Sequence, residues 1–322
     1  MYLNYSKNYS NNYSMDDPIL FIDLFCGIGG FRVGLKDVGT CVMSSEIDKF
    51  AVKTYESNFG DTPRGTICDI LPETIPEFDI MTGGFPCQSF SSIGKREGFE
   101  SETKGQLFFE IIRIARAKQP KVLLLENVKG LLTHDKGATL ARILQELTDI
   151  GYNVDYKVLN SADFGCPQNR NRVYFVCFRN DLNAQFEWPT PSAEKVGIGQ
   201  FLETDVDGYS ISKHLQEAYL FKKEDGRPRL VNRETTTPTN TLVTSYHKIQ
   251  RLTGTFVRDG PTGIRLFSKA ECLAQQGFPA DFAIPVSRTQ MYRQLGNAVS
   301  PPVVAAIGAA IKSVLIRRKR IR

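Results

Sequence analysis

The sequence predicts an α/β protein with a mostly parallel β-sheet and a second, smaller domain rich in loops and β-structure. Short apolar runs alternate with amphipathic stretches through the first half of the chain, as in proteins where helices connect parallel strands. Two β-rich runs then follow one another from residue 152 without a clear helix between them. Turn residues become frequent and helical periodicity becomes weak from residue 188 onward, which predicts the second domain.

The predicted strands cover residues 19–25, 40–44, 66–68, 78–82, 121–125, 153–159 and 172–178. The first five are short buried runs, and the last two predict an antiparallel hairpin that closes the sheet. A helix with one apolar face is predicted from the spacing of Leu107, Phe108, Ile111, Ile112 and Ala115. A last helix is predicted at residues 301–316, because its two leading prolines suit a first helical turn.

Four parts of the chain are expected. Residues 1–17 contain Asn, Tyr and Ser but hardly an aliphatic side chain, which predicts a flexible tail. Residues 18–187 are expected to form the sheet domain and residues 188–287 the smaller domain. Residues 288–322, with the last helix, are expected to return to the sheet domain.

Composition excludes several classes of protein. The 322 residues are 41% hydrophobic and 23% charged, which is typical of a globular chain. Seven cysteines form no Cys-x-x-Cys pair and do not cluster with the three histidines, so no metal site and no disulfide framework are expected. Reduced thiols fit the cytoplasm. No signal peptide is recognisable, and the apolar run at 303–316 is too short to cross a bilayer, so no membrane partner is expected.

Positive charge is concentrated in one part of the chain. The net charge is +5, and residues 213–269 contain eleven Lys and Arg against five Asp and Glu, interleaved with five aromatic residues. This pattern is typical of a surface that binds a polyanion such as nucleic acid. A solvated basic surface is the alternative interpretation.

A cysteine follows the strand predicted at residues 78–82, in the segment Gly83-Gly84-Phe85-Pro86-Cys87-Gln88-Ser89-Phe90. Strand ends are where open α/β sheets place their chemistry, and Pro86 stiffens the turn that carries the thiol. The segment therefore indicates that Cys87 is a nucleophile. The alternative is a small buried hydrophobic side chain, which is the commoner fate of a free cysteine.

A glycine-rich turn follows the first strand, at residues 27–30. Glycines allow a sharp turn and a close approach of the backbone to a nucleotide-type ligand. Arg32 stands where the dinucleotide fingerprint requires Gly or Ala, which disfavours NAD or FAD. Glu46 ends the second strand and could accept both ribose hydroxyls, and Asp69 ends the third and could accept an adenine amine. Either acid could instead cap a helix.

Charged residues of both signs are expected at the same sheet edge. The fifth strand runs into Glu126-Asn127-Val128, which brings a carboxyl group to the edge that carries Cys87. Arg170 and Arg172 alternate before the last strand, so both side chains should point to one side. One of these arginines could pair with Glu126 and with a polar ligand.

In this order the motifs resemble those of the DNA (cytosine-5)-methyltransferases of bacterial type II restriction-modification systems. The resemblance runs from about Pro18 to the last helix and is carried by residues 25–30, 46, 84–88, 126–128, 168–172, 265–279 and 296–299. It implies a Rossmann-like methyltransferase domain that uses S-adenosylmethionine and releases S-adenosylhomocysteine. It also implies that the smaller domain recognises the DNA target.

The resemblance assigns catalytic roles. Cys87 adds to carbon 6 of a cytosine that is flipped out of duplex DNA. Glu126 holds ring nitrogen 3 and the exocyclic amine, Arg172 holds the carbonyl oxygen and orients Glu126, and Arg170 belongs to the same site. Carbon 5 then accepts the methyl group.

The resemblance also assigns binding residues. The implied cofactor contacts are Phe25, Gly27, Ile28, Gly29, Gly30, Glu46, Ile47, Asp69, Ile70, Pro86, Leu107, Asn297 and Val299. The implied DNA contacts in a mobile loop are Gln88, Ser89, Ser92, Lys95 and Arg96. The implied DNA contacts of the smaller domain are Thr241, on a phosphate, and Ser245, Tyr246, His247, Lys248 and Arg251, near the bases.

Two alternatives are open at this point. A tRNA cytosine-5 methyltransferase shares the fold and the Pro-Cys-Gln segment, but its Cys-Phe-Thr signature is absent from this sequence. A catalytically silent DNA-binding regulator is the other, and intact Cys87, Glu126 and Arg172 argue against it. The expected partners are double-stranded DNA and a restriction endonuclease that acts separately, and the protein is expected to be a monomer.

Overall fold

The computed structural model describes residues 18–85, 106–191 and 194–319. The tail expected at residues 1–17 and the segment with the expected nucleophile lie outside these ranges. Six strands form the central sheet in the order β2-β1-β3-β4-β6-β5. They are β1 (Leu20–Leu24), β2 (Thr40–Ser45), β3 (Ile80–Gly84), β4 (Val122–Val128), β5 (Tyr152–Asn160) and β6 (Asn171–Arg179).

The sheet is mixed and mostly parallel. β2, β1, β3 and β4 run parallel, whereas β6 is antiparallel to both β4 and β5. Leu123, Leu124 and Leu125 of β4 are all fully buried, as expected of a central strand covered on both faces. The α/β class and the closing antiparallel hairpin predicted from the sequence are confirmed.

The strand predicted at residues 66–68 is wrong. These residues enter a short 3₁₀ turn, Ile67–Asp69, because the Thr66 hydroxyl accepts a hydrogen bond from Cys68 N and caps it. Near this turn, Arg64 makes a single bridge with Ser45 of β2. Asp69 therefore lies in a turn and does not end a strand.

Helices cover both faces of the sheet. The helices around the sheet are α1 (Gly30–Gly34), α2 (Lys49–Phe59), α3 (Gln106–Lys118), α4 (Ala138–Asp149) and, from the end of the chain, α8 (Pro301–Lys319). α3 and α4 pack with one face of the sheet, and α1 and α8 pack with the other. α1 and α8 approach closely, since a Cβ atom on Gly34 would lie 2.6 Å from the Val304 side chain.

Among the described residues, one helical stretch, Arg288–Arg317, is long and apolar enough to cross a membrane by length and composition alone. Its apolar residues have partners inside the protein: Val303, Val304 and Ile307 are buried in the same cluster as Phe21 of β1. Packing against the sheet accounts for the apolar character of the part of this stretch that belongs to α8.

Residues between 198 and 295 contribute most of a separate apolar cluster. Its elements are α5 (Lys213–Leu215), β7 (Arg229–Val231), β8 (Thr255–Val257), α6 (Lys269–Gln276) and α7 (Arg288–Asn297). β7 and β8 form a small two-stranded parallel sheet. Ile28 and Ala51 belong to the same cluster, so it is continuous with the glycine turn and with α2. The domain limits expected at residues 188 and 287 stay a prediction.

A fully buried arginine ties this cluster together. Arg265 uses all five of its N–H donors: Nε binds Asp259, the two terminal nitrogens bind both oxygens of Glu271, and the remaining two donors bind the carbonyls of Leu266 and Glu203. Glu271 is also fully buried. Its carboxylate accepts the backbone N–H groups of Ser268 and Glu203 as well.

We predict that Arg265→Met lowers the free energy of unfolding by about 3–5 kcal/mol, because the buried carboxylate of Glu271 would lose its counter-charge. Urea unfolding followed by circular dichroism would measure the change. Arg258→Met is the matched control, since Arg258 is exposed one residue beyond β8 and should cost less than about 0.5 kcal/mol. Equal unfolding midpoints for the two variants would contradict this account of Arg265.

Candidate active site

A cavity of about 600 Å³ lies at the carboxyl ends of the parallel strands. The cavity is lined by residues that follow β1, β2 and β3 and by the last residues of β4. This edge is where open α/β sheets bind their ligands, and the volume is within the range of small-molecule sites. Arg170 and Arg172 from the start of β6, and residues from the end of α7, complete the wall.

Glu46 holds the glycine turn in place. One oxygen of its carboxylate accepts from Gly27 N at 2.9 Å, and the other accepts from the backbone N–H groups of Ile47 and Asp48 at 2.7 and 2.8 Å. A carboxylate offers about four acceptor positions, so about one is left for a ligand. Binding of both ribose hydroxyls by Glu46 stays a prediction.

The glycines of the turn have different surroundings. Gly27 has φ of +55°, lines the cavity, and has no atom within 4 Å of where a Cβ would stand, so the cavity is open at this backbone. A Cβ on Gly30 would lie 2.7 Å from Val299 Cγ2. Gly29 instead faces Phe59 of α2, so this expected cofactor contact packs against a helix and not against the cavity.

The cavity brings together most of the residues expected to bind the cofactor. Those on its wall are Phe25, Gly27, Ile28, Gly30, Glu46, Ile47, Leu107, Asn297 and Val299. Gly29, Asp69 and Ile70 are not on the wall. Asp69 is exposed and Ile70 is buried, and the turn presents Thr66 and Ile67 to the cavity in their place.

Sequence reasoning missed two wall residues on α7, Arg293 and Gln294. Arg293 lies one helical turn before Asn297, so both side chains share a face of the helix. Helical spacing from Asn297 is therefore the signal that could have identified Arg293. Gln294 is buried, and its Oε1 accepts from the Thr54 hydroxyl of α2 at 3.0 Å.

Glu126 faces the cavity from β4 with little exposure to solvent. It is paired with Gly84 of β3, where a Cβ would lie only 3.5 Å from Glu126 Oε2. Arg172 Nε lies 3.0 Å from Glu126 Oε1, which confirms the expected pairing with an arginine of this segment. Within the described ranges no group donates a well-directed hydrogen bond to Oε1, which is buried beside the Arg172 guanidinium. Burial raises the pKa of Glu126, and the charges of Arg172 and Arg170 oppose that rise.

Arg170 connects the two halves of the cavity wall. One terminal nitrogen donates to Gly296 O at 3.1 Å and to Ala298 O at 2.7 Å, which ties the residue before β6 to the end of α7. Burial lowers the pKa of Arg170 to about 10, so the guanidinium remains charged at neutral pH. Its Nε and Nη1 have no hydrogen-bond partner among the residues that the structure describes.

The expected nucleophile and its loop lie outside the described residues. The residues concerned are Pro86, Cys87, Gln88, Ser89, Ser92, Lys95 and Arg96. Phe85, the last described residue before them, lines the cavity, and its carbonyl accepts from Asn127 Nδ2 at 2.8 Å. The last described residue before the expected nucleophile therefore lies on the cavity wall.

Two of the residues expected to contact DNA, Tyr246 and Arg251, are buried inside the protein. Tyr246 is buried, its ring stacks on those of Phe256 and Phe267, and its hydroxyl donates to Thr255 O at 2.6 Å. This ring belongs to the apolar cluster and does not face solvent. The expectation that it contacts DNA bases is therefore not supported by its position.

Arg251 also points away from solvent. Its guanidinium binds the carbonyls of Leu220 and Lys223 and the carboxylate of Asp225, which fixes the segment from 220 to 225.

The Thr241 hydroxyl donates to Asn169 O at 2.6 Å, so its single proton is already in use. Ser245 and His247 are half-buried and Lys248 is exposed, and for these three residues a DNA contact stays a prediction.

Comparison with known proteins agrees with this geometry. Residues 19–313 match the family model for C-5 cytosine-specific DNA methylases. The chain is 56% identical over 296 residues to the type II methyltransferase M.MspI of Moraxella sp, covering 92% of this chain and 71% of that protein. It is 52% identical over 318 residues to the type II methyltransferase M.BsuFI of Bacillus subtilis, covering 97% and 77%. Among solved structures, the Entamoeba histolytica methyltransferase EhMeth shares the fold with a TM-score of 0.74 and 21% identity, over 93% of this chain and 99% of that one.

Proposed function

Because the chain belongs to the C-5 cytosine-specific DNA methylase family, we propose that it flips a cytosine out of duplex DNA and methylates carbon 5 within one short sequence. The enzyme class, DNA (cytosine-5)-methyltransferase, follows from the family and from the type II methyltransferases that the chain resembles over most of its length. The mechanism and the residue roles below are inferred from the geometry of the cavity.

The pairing of Glu126 with Arg172 is the observation that carries this proposal. A carboxyl group stands 3.0 Å from a guanidinium on the wall of a cavity. A cytosine presents a ring nitrogen with an amine on one side of it and a carbonyl on the other. In its acidic form Glu126 can donate to the ring nitrogen and accept from the amine, and Arg172 can donate to the carbonyl oxygen. The same two residues would therefore hold the base and select cytosine.

Carbon 5 of cytosine becomes reactive only after a nucleophile has added to carbon 6. We assign this addition to the thiolate of Cys87, which moves an electron pair toward carbon 5. Glu126 supports the addition by donating a proton or a hydrogen bond to nitrogen 3 as negative charge develops there. After methyl transfer, loss of the carbon 5 proton releases Cys87 and restores the double bond.

The residues of the cavity fit S-adenosylmethionine, which supplies the methyl group when bound. The open space at Gly27 allows the backbone to approach a ligand, and Glu46 retains about one acceptor position for a ribose hydroxyl. Ile47 is 75% exposed at the cavity wall, where an apolar side chain can cover a flat purine ring. Asn297 and Val299 would close the opposite side, whereas a contact from Asp69 to adenine stays a prediction.

We predict that Gly27→Ala weakens cofactor binding by about tenfold, because alanine is strained at φ of +55° and its methyl group would enter the cavity. Calorimetric titration with S-adenosylhomocysteine would measure it. Gly60→Ala is the matched control, since Gly60 also has a positive φ and free space around a Cβ but is not on the cavity wall. Equal losses of affinity in both variants would contradict the role of Gly27.

The partners follow from the same assignment. We infer that double-stranded DNA is the substrate, that a separate restriction endonuclease acts on the same sequence, and that the enzyme works as a monomer in the bacterial cytoplasm. The type II methyltransferases among the relatives favour DNA over the alternative tRNA substrate.

Bisulfite sequencing of genomic DNA from cells that express the protein tests the proposal. We expect protected cytosines at one short sequence with the wild-type protein and none with Cys87→Ser. Unmodified DNA from cells that contain folded, cofactor-binding protein would contradict the proposed function. A random pattern of protection would contradict its sequence specificity.

A further inference from the structure

Two segments that are far apart in sequence form a tight junction beside the cavity. The junction consists of residues 167–169, which lead into β6, and residues 239–242. Thr239 N donates to Pro167 O at 2.8 Å, and Asn169 N donates back to Thr239 O at 2.9 Å. These two bonds form a parallel β-bridge centred on Gln168 and Thr239. The backbone of the expected DNA-recognition region is thus paired with the segment that leads into the strand carrying Arg172.

The side chain of Gln168 adds a second set of bonds to the junction. It is fully buried. Its Oε1 accepts from Leu242 N at 2.5 Å, and its Nε2 donates to Gln275 O at 3.0 Å. Both ends of one amide therefore bind backbone groups of the expected recognition region, at two points separated by more than thirty residues. A buried amide satisfied in this way permits little sliding or rotation, because any shift would break a buried hydrogen bond.

The other side of the junction is fixed to the catalytic sheet. The Ser161 hydroxyl donates to Gln168 O at 2.8 Å, and Asn160 Oδ1 accepts from Arg170 N at 2.9 Å. Arg172, which contacts Glu126, lies four residues beyond Gln168. Gln168 thus stands between two parts of the protein, one that would hold the flipped base and one that would contact the rest of the target sequence.

We propose that Gln168 is a positioning residue for sequence discrimination, an inference that rests on the proposed function. It holds the recognition region, residues 188–287, at a fixed position relative to Glu126 and Arg172. Contacts to the correct sequence then place the target cytosine in the catalytic geometry, whereas contacts to an altered sequence do not. Without this fixed position, binding of the correct sequence would no longer be converted into alignment at the reacting atoms.

The test compares kcat/KM on a cognate duplex with kcat/KM on a duplex changed at one base pair outside the target cytosine. Gln168→Met keeps the length of the side chain and removes both hydrogen bonds. We expect the ratio of the two kcat/KM values to fall about tenfold, mainly through kcat on the cognate duplex, while S-adenosylhomocysteine binds as in the wild type. Gln276→Met is the matched control: Gln276 is equally buried, but its amide joins α6 to Leu295 O of α7, outside the junction.

The discrimination ratio separates positioning from a general loss of stability, because a smaller folded fraction lowers both rates equally. An unchanged ratio in Gln168→Met would overturn the proposal, and so would an equal fall in Gln276→Met. A wild-type protein that methylates neither duplex would instead refute the proposed function, and the positioning role with it.

Thr241→Val is a milder variant that serves if Gln168→Met does not fold. It removes only the bond from the Thr241 hydroxyl to Asn169 O. We expect a smaller fall of the same ratio, about threefold, with Thr241→Ser restoring it. Uniform weakening of both duplexes with a shallower salt dependence would show a phosphate contact at Thr241 and would count against the junction.

Discussion

Cys87→Ser is expected to lower the rate of methyl transfer by more than about 10³-fold while leaving the binding of duplex DNA in place. A thiol is partly ionised near neutral pH and is a strong nucleophile, whereas a serine hydroxyl is neither without a neighbouring base. In the described part of the cavity, Glu126 is a candidate for such a general base. It is already paired with Arg172, however, and the bound cytosine would occupy it. Transfer of labelled methyl groups from S-adenosylmethionine to duplex DNA would measure the rate.

Cys68→Ser is the matched control for this prediction. Cys68 is an exposed cysteine in the turn at Ile67–Asp69, and it is not on the cavity wall. Its replacement should leave the methylation rate within about twofold of the wild-type value. A Cys87→Ser protein that is as active as Cys68→Ser would show that the reaction does not proceed through Cys87.

Glu126→Gln is expected to lower kcat by about 10²–10⁴-fold, the usual contribution of a positioned acid. Glutamine keeps the shape and can still hydrogen-bond to cytosine, but it cannot deliver a proton to ring nitrogen 3. The variant also leaves Arg172 without its counter-charge in a buried site. Single-turnover kinetics on a cognate duplex would measure the chemical step directly.

The pH dependence of this step provides an independent check. Burial raises the pKa of Glu126, so its acidic form persists to higher pH than for an exposed carboxyl group. If that form donates to nitrogen 3, the wild-type rate falls as pH rises through the raised pKa. The Glu126→Gln protein should lack that fall. A fall of the same size at the same pH in both proteins would assign it to another group.

The parts of the site that could be predicted from sequence are those that follow strand ends. Glu46, the glycine turn and Glu126 are distant in sequence, yet parallel strands bring their ends to one edge, so strand prediction alone was enough to group them. The position of Asp69 depends on strand prediction as well, and here the prediction is wrong. A run of only three residues, 66–68, has the same pattern in a short strand and in a capped turn. The hydrogen bond from Cys68 N to Thr66 decides between the two.

Residues whose roles depend on distant partners could not be predicted. A run of basic and aromatic residues has the same pattern whether it binds DNA or packs inside the protein. Tyr246 is buried because Phe256 and Phe267 stack on it, and Arg251 is buried because Asp225 lies opposite. The bonds of Gln168 to Leu242 and Gln275 likewise exist only once the two segments of the junction have met.

The most direct test of the central claim is covalent trapping on a duplex with 5-fluorocytosine at the target position. Fluorine in place of the carbon 5 hydrogen leaves no proton to lose, so the bond between Cys87 and carbon 6 cannot be broken after methyl transfer. We predict an adduct that survives denaturation, requires S-adenosylmethionine, and maps by mass spectrometry to the peptide that contains Cys87. The absence of an adduct from a protein that methylates the unsubstituted duplex, or an adduct on a different residue, would contradict the account.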